Sequence, residues 1–297
     1  MSALADKGAG AGVSAGAGAS AGDLLREAAR EVAGRALAED LGEQGDVTGR
    51  AFHAPGRARV EARHPGVLSG GVAFGEAARL VDPGLQVSFL VADGQAFAAG
   101  DVIATLEGRM ASMLALERTG LNLLSRLSGV ATLTASFVAA VAGTGARFAG
   151  TRKTTPGLRV LEKQAIVDGG GIPHRYGLFE RAMIKDNHVA AAGGVVAAVE
   201  RVRSEGADAG GLEVEVDALE QLDEALHTGV TAVLLDNMDA ETVRRAVQRV
   251  AGAAVVEASG GVTLDNVRAY AEAGVDVVSV GALTTRAPWI DLSMVVE

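Results

Sequence analysis

Across its second half the chain repeats one pattern, a short apolar run that stops at a polar residue or a glycine, followed by an amphipathic stretch. The runs fall at 148–153, 182–186, 212–215, 232–236, 254–259 and 277–281. Between the later ones, Leu219, Leu222 and Leu226, then Val243, Ala246, Val247 and Val250, recur at helical intervals. Alternation of this length predicts parallel strands joined by right-handed crossovers. Six or seven such units close most naturally into a barrel, complete or not, with an open doubly wound sheet as the alternative on the pattern alone.

The first half has another rhythm. Short strands are expected at 59–63, 67–69, 85–91 and 102–107, where Leu85-Gln86-Val87-Ser88-Phe89 alternates as a half-buried strand should. The stretch from Ala92 to Ile103 looks like part of a lipoyl-type barrel, but it lacks the lysine such a hairpin tip needs, so it reads as structural. A helix is expected from Asp23, capped by that residue, with Leu24, Leu25, Ala28, Ala29 and Val32 on one face. Residues 110–141 also read as helical, with Gly120, Gly129 and Gly143 as potential break points. Arg118 and Arg126 lie within that apolar stretch, where spacing alone favours a solvated face or a helix salt bridge.

The 297 residues leave room for a barrel and a second domain. Residues 1–22 are Ala/Gly/Ser repeats without hydrophobic periodicity and are expected to be disordered. The segment lacks the features of a secretory signal or transit peptide. Within it, Gly10-Ala11-Gly12-Val13-Ser14-Ala15 formally matches a dinucleotide-binding fingerprint, but no strand precedes it and no helix follows closely, so the match is rejected. No apolar run approaches the length needed to span a bilayer, and a soluble protein without a membrane partner is expected. Cysteine is absent, which removes disulfides, thiolate metal sites and cysteine nucleophiles and fits a reducing cytoplasm. The net charge of −10 argues against a nucleic-acid partner.

In a β/α barrel the reacting groups come from the carboxyl ends of the strands. Here those ends offer Arg152 and Lys153, then Lys185, Glu215, Asp236, Ser259-Gly260-Gly261 and Gly281. Cations come first, carboxylates second and small residues last, which describes a site for a ligand with several anionic groups, sugar hydroxyls and a phosphate. Ser259-Gly260-Gly261 reads as a loop opening a helix, whose free N–H groups suit a phosphate, and Gly281-Ala282 would let backbone approach the same group. Glu215 and Asp236 end neighbouring strands and can hold ribose hydroxyls directly or through Mg²⁺, or can pair with Lys153 or Lys185.

Lysine usage sharpens this reading. Only four of the 27 basic residues are lysines (Lys7, Lys153, Lys163 and Lys185), and three of them lie between Thr151 and His188. That segment carries seven Lys/Arg against four Asp/Glu, a local excess of positive charge in an acidic chain. Arginine suits carboxylates because its planar fork donates two parallel hydrogen bonds, and His174 beside Arg175 adds a further donor.

The run Thr151-Arg152-Lys153-Thr154-Thr155-Pro156-Gly157-Leu158-Arg159 resembles the quinolinate phosphoribosyltransferase family. So do Glu162-Lys163, the triple glycine 169–171, His174-Arg175 with Leu178, and Ile184-Lys185-Asp186-Asn187-His188. Further blocks are Glu117-Arg118, the run from Asn122 to Gly129, Glu213-Val214-Glu215-Val216, Leu235-Asp236-Asn237-Met238 and Glu257-Ala258-Ser259-Gly260-Gly261. The resemblance covers residues 23–297.

It implies an α/β fold, with an N-terminal α/β sandwich domain at 23–128, an open β/α barrel at 129–285, and a segment at 286–297 packing on the N-terminal domain. It further implies a cytoplasmic homodimer in which Arg118 reaches the partner's site. Thr151, Arg152, Lys153, His174, Arg175 and Lys185 would surround quinolinate and phosphoribosyl pyrophosphate, with Glu215 and Asp236 on ribose and Mg²⁺. Ser259, Gly260, Gly261, Val280, Gly281 and Ala282 would lie at the 5-phosphate end. Lys153, Lys185, Glu215 and Asp236 are the expected catalytic set. Pro173 departs from the polar residue the family often has there, which bears on how His174 approaches a ligand. The implied chemistry is departure of pyrophosphate from an oxocarbenium-like ribose, attack by the pyridine nitrogen, and loss of the adjacent carboxylate as CO₂. Competing readings are a phosphoribosyltransferase for nicotinate or another anionic base, a non-catalytic paralogue, and an isomerase on a phosphate-binding barrel.

Overall fold

The computed structural model describes residues 20–297, so the disorder expected for the tail and the rejected fingerprint both lie, up to residue 19, outside the described residues. In chain order the elements are α1 (Ala21–Leu41), β1 (Pro55–Ala62), β2 (Gly66–Val67), α2 (Gly71–Val81), β3 (Gln86–Phe89), β4 (Ala96–Phe97), β5 (Val102–Arg109) and α3 (Met110–Ala140). There follow β6 (Arg147–Ala149), α4 (Arg159–Asp168), β7 (Ala182–Ile184), α5 (Asp186–Ala192), α6 (Val195–Ser204), β8 (Leu212–Val216) and α7 (Leu219–His227). The chain ends with β9 (Ala232–Asp236), α8 (Ala240–Val250), β10 (Val255–Ser259), α9 (Val267–Glu272), β11 (Val277–Ser279), α10 (Ala282–Thr285) and β12 (Leu292–Val296). A single 3₁₀ turn, Gly49–Ala51, precedes β1.

Two compact units result. One comprises residues 20–135 with Thr154–Gly170 and Ala282–Glu297. Its main sheet runs β12-β1-β5-β3, antiparallel throughout, so the last strand of the chain pairs with the first. Helix α1 begins earlier than Asp23. Ser20 is its N-cap and accepts from the Asp23 N–H, while the Asp23 carboxylate accepts from the Ser20 N–H. The aspartate thus closes a capping box from the third helical position, which a scan for a single N-cap oxygen does not distinguish. Strand β3 keeps the expected alternation, and Phe89 meets Phe74 of α2 edge to face at 5.8 Å.

The stretch expected to break at glycines is one 31-residue helix. A Cβ on Gly120 would lie 2.6 Å from the Phe74 ring, and one on Gly129 would lie 1.9 Å from the Pro288 carbonyl oxygen. Both glycines therefore permit close packing and do not end the helix, a role set by what lies opposite. In length and composition α3 passes for a bilayer-spanning helix, correcting the run-length reading, and half of its apolar stretch is buried within the protein.

The second unit, residues 136–153 and 171–281, carries the repeated pattern. Its six strands are all parallel, in the order β6-β11-β10-β9-β8-β7. Every strand neighbours its successor except β6 and β7, which occupy opposite edges, so the sheet has the order of a barrel left open between them. The predicted runs stand at each strand, with β9 at its predicted limits. Val214, Val233 and Leu235 are fully buried or nearly so, each worth about 1.5–3 kcal/mol. The expected stripe of α8 also holds: Val243, Ala246 and Val250 are buried, and the Asp239 carboxylate caps the helix by accepting from the Thr242 N–H at 2.7 Å.

Candidate active site

The parallel sheet places polar side chains at its carboxyl edge. Register sets Ser259 of β10 beside Asp236 of β9 on one side and Ser279 of β11 on the other. Glu215 is the penultimate residue of β8, and Lys185 follows β7 directly. Thr151, Arg152 and Lys153 follow β6, where the Lys153 N–H donates to Thr151 Oγ1 at 3.1 Å. The Val280 N–H donates to the Ala149 carbonyl at 3.1 Å, tying the end of β11 to that of β6. A Cβ on Gly281 would come 2.9 Å from Lys153 Cδ, so the glycine admits the lysine stem against the end of β11.

Lys185 Nζ donates to Glu215 Oε2, the ion pair that the sequence allowed as an alternative role for this carboxylate. Asp236 accepts from the side chain of Asn237, a residue in the left-handed region at φ 55°. Two carboxylates with partly accessible oxygens at adjacent strand ends form a hard-oxygen donor set of the kind Mg²⁺ takes together with substrate oxygens.

Gly260 and Gly261 both have positive φ, 85° and 62°. At Gly260 a Cβ would strike the Asn237 side chain at 2.2 Å, which fixes glycine there. The loop does not open a helix as expected. Six-residue α9 starts only at Val267, and an intervening turn is held by Asn266, which accepts from the Thr263 N–H and donates to the Gly261 carbonyl. Any anion here meets glycine backbone, without the dipole of a long helix.

Beneath this edge lies a buried charged network absent from the sequence expectations. Glu213 of β8 and Glu257 of β10 are 1% and 3% exposed. Arg181 Nη2 donates to Glu213 Oε2 at 2.6 Å, and His174 Nε2 lies 3.0 Å from Glu257 Oε2. Arg175, itself buried, donates from Nη1 to the Arg181 carbonyl at 3.1 Å. Burial, then the facing Glu257 charge, raise the Glu213 carboxyl to about 7. Burial also opposes ionisation of Glu257, but the charge and hydrogen bond of His174 and a hydrogen bond from Ser279 overcome it and hold Glu257 below the ordinary value. Of the pair, Glu213 therefore keeps the proton longer. Burial, then the nearby Arg152 charge, lower Arg175 from its ordinary value. The ligand atoms of His174, Glu213 and Glu257 lie within 4.8 Å of one another, as a metal site would need. Arg181 Nη2 sits 2.6 Å from Glu213 and 3.3 Å from His174, so a guanidinium already fills that position. The signal for these carboxylates was present in the sequence as a charge inside an apolar strand run, Leu212-Glu213-Val214 and Val256-Glu257-Ala258.

Other expected residues belong to the antiparallel unit. Arg118 is exposed on α3 and makes no hydrogen bond or ion pair within the described residues. Of its expected alternatives Arg126 takes the salt bridge and not the solvated face: it pairs with fully buried Glu162 of α4 at 2.6 Å and donates to the Thr284 and Ala287 carbonyls. Ala282 opens the four-residue α10.

Residues 46–128 match the family described as quinolinate phosphoribosyl transferase, N-terminal domain, and residues 130–295 match its C-terminal domain. A nicotinate-nucleotide pyrophosphorylase (carboxylating) from Mycobacterium leprae is 41% identical over 279 residues, covering 90% of this chain and 97% of the relative. A mitochondrial quinolinate phosphoribosyltransferase (decarboxylating) from Nicotiana tabacum is 37% identical over 290 residues, 90% of this chain and 82% of the relative. The solved structure of the nicotinate-nucleotide pyrophosphorylase from Francisella tularensis superposes with a TM-score of 0.88 at 34% identity, covering 92% of this chain and 97% of that one. With both family domains matched in order over nearly all of the described residues, this chain belongs to the quinolinate phosphoribosyltransferase family.

Proposed function

We propose that this chain transfers phosphoribosyl from phosphoribosyl pyrophosphate to quinolinate with loss of CO₂, giving nicotinate mononucleotide and pyrophosphate for de novo NAD synthesis. The observation that carries the reading is the order of groups along the parallel sheet. Arg152 and Lys153, Arg175, and Lys185 supply positive charge, with His174 beside them, and Glu215 and Asp236 supply carboxylates at adjacent strand ends.

The cations bind the two carboxylates of the base and the pyrophosphate. Lys153 and Lys185 neutralise charge that grows on the pyrophosphate oxygens as the C1–O bond lengthens, where a fixed charge lowers the barrier more than it stabilises the bound substrate. Glu215 and Asp236 face the ribose hydroxyls and tolerate positive charge developing on the ring. They are also the residues that would hold Mg²⁺, which supplies further charge neutralisation on phosphate oxygens when bound. The base nitrogen bonds to C1 and becomes cationic; the adjacent carboxylate then leaves as CO₂, its bonding electron pair stays on the ring carbon beside the cationic nitrogen, and a proton from solvent takes its place. Backbone of Gly260, Gly261, Val280, Gly281 and Ala282, with Ser259, serves the 5-phosphate. The protein acts as a cytoplasmic homodimer with Arg118 completing the partner's site, in keeping with an exposed arginine that has no ion pair within its own described chain.

Purified protein is tested with Mg²⁺, phosphoribosyl pyrophosphate and quinolinate, following CO₂ and pyrophosphate together. Equimolar release of both supports the reading, and binding without release of either assigns the chain to a non-catalytic role.

A further inference from the structure

His174 is held on one side only. Its Nε2 faces Glu257 at 3.0 Å, with Arg181 Nη2 beside it at 3.3 Å, while Nδ1 makes no hydrogen bond among the described residues. Its backbone is also in the left-handed region at φ 53°, an unfavourable place for a residue with a side chain. The surroundings must therefore hold both backbone and ring.

The two buried carboxylates divide the work. Glu213 lies 3.8 Å from His174 Nε2, beyond hydrogen-bond reach, and is engaged by Arg181 at 2.6 Å. Of the two carboxylates only Glu257 is within reach of the imidazole; Arg181 Nη2 lies 3.3 Å from the same Nε2 but directs its donation to the closer Glu213 oxygen at 2.6 Å. An ionised carboxylate can only accept, so the shared proton sits on Nε2. With Nε2–H committed, the neutral ring presents a bare Nδ1, and Nδ1 becomes a donor only as the ring turns cationic. Glu257 is then the buried counter-charge of that cation. Through the Arg181 carbonyl, Glu213 also anchors the Arg175 guanidinium.

We propose that Glu257 is a positioning residue for the proposed reaction, fixing the His174 proton on Nε2 so that Nδ1 is turned to a substrate carboxylate as a charged donor. Glu213 and Arg181 form the companion brace for the adjacent Arg175. The inference rests on the quinolinate reading above and deepens it, naming what sets the base specificity of the site. Replacing Glu257 removes the reason for the Nε2 tautomer, and either ring nitrogen can then carry the proton. A charge-assisted contact to the substrate weakens, and because the contact is made to the bound base, the loss falls on KM for quinolinate.

The test is ¹⁵N NMR of the full-length protein labelled at histidine, with His174 assigned by a His174→Asn variant. The expected result is a protonated Nε2 and a bare Nδ1 in the free protein, with Nδ1 becoming protonated when quinolinate binds. Glu257→Gln is expected to scramble the tautomer and raise KM for quinolinate by about tenfold, leaving KM for phosphoribosyl pyrophosphate in place. A proton on Nδ1 in the free wild-type protein overturns the proposal, and so does an unchanged KM for quinolinate in a folded Glu257→Gln. Should that variant not fold, the wild-type spectra decide alone. The two readings fail separately: no quinolinate turnover by wild type sinks the function, whereas the tautomer of the free ring is read without turnover.

Discussion

The Lys185 ammonium sits on the Glu215 carboxylate, joining the end of β7 to the end of β8. A cation and an anion proposed to serve opposite parts of one substrate are thus paired with each other in this structure. The pair orders both side chains, and on the proposed reading an incoming phosphate competes with Glu215 for the lysine. Guanidinium cannot reproduce this geometry, because its charge is planar and spread over a fork.

Lys185→Arg and Lys153→Arg are each expected to lower turnover by at least about tenfold with the fold retained. Steady-state rates beside circular dichroism check this. Near-normal rates in both variants would mean that the lysine clustering in an arginine-rich chain carries no chemistry.

Glu213 gives stability a particular dependence on pH. Its folded value of about 7 lies above the ordinary 4.5. Its contribution is therefore fully present below the ordinary value and is lost as pH rises through about 7. Thermal melts of wild type and Glu213→Gln from about pH 5 to about pH 8 should show wild type losing its relative advantage as pH rises. A constant difference in Tm across that range would remove Glu213 as the titrating group.

Gly129→Ala separates two physical effects of opposite sign. Helix propensity alone favours alanine by about 1 kcal/mol. The Cβ would meet the Pro288 oxygen at 1.9 Å, and we expect a net loss of about 1–3 kcal/mol in urea unfolding. A gain would show that the 282–297 segment moves aside at little cost.

These cases mark what the sequence could and could not show. Lys185, Asp236 and Ser259 were legible because an apolar run has to stop somewhere, and the residue at which it stops is at the strand end. Gly120 and Gly129 look like breaks in the sequence because a glycine in a helix has one local meaning and another set by distant residues, here Phe74 and Pro288. Ser20 escaped because it lies in an Ala/Gly/Ser repeat that otherwise resembles the tail. The partnerships of Glu213 and Glu257 depend on two strands and a loop meeting in space, which no spacing along one strand encodes.

The shared-site proposal predicts complementation. Arg118→Ala and Lys185→Ala should each give inactive homodimers. In mixed dimers one site of two keeps its own lysine and receives an intact arginine. With random exchange about half the dimers are mixed, so activity should return to about a quarter of wild type. No recovery after exchange is verified with mass-tagged chains would place Arg118 outside the partner's site.

The central claim is that this site is built for two carboxylates, and specificity constants for quinolinate and nicotinate, measured side by side with phosphoribosyl pyrophosphate and Mg²⁺, test it most directly. Without the second carboxylate, nicotinate leaves part of the proposed cation set, which includes buried Arg175, uncompensated, and we expect quinolinate to be preferred by at least about a hundredfold, with one CO₂ released per pyrophosphate. Comparable constants for the two substrates would contradict the account and assign the chain to a nicotinate-type reaction.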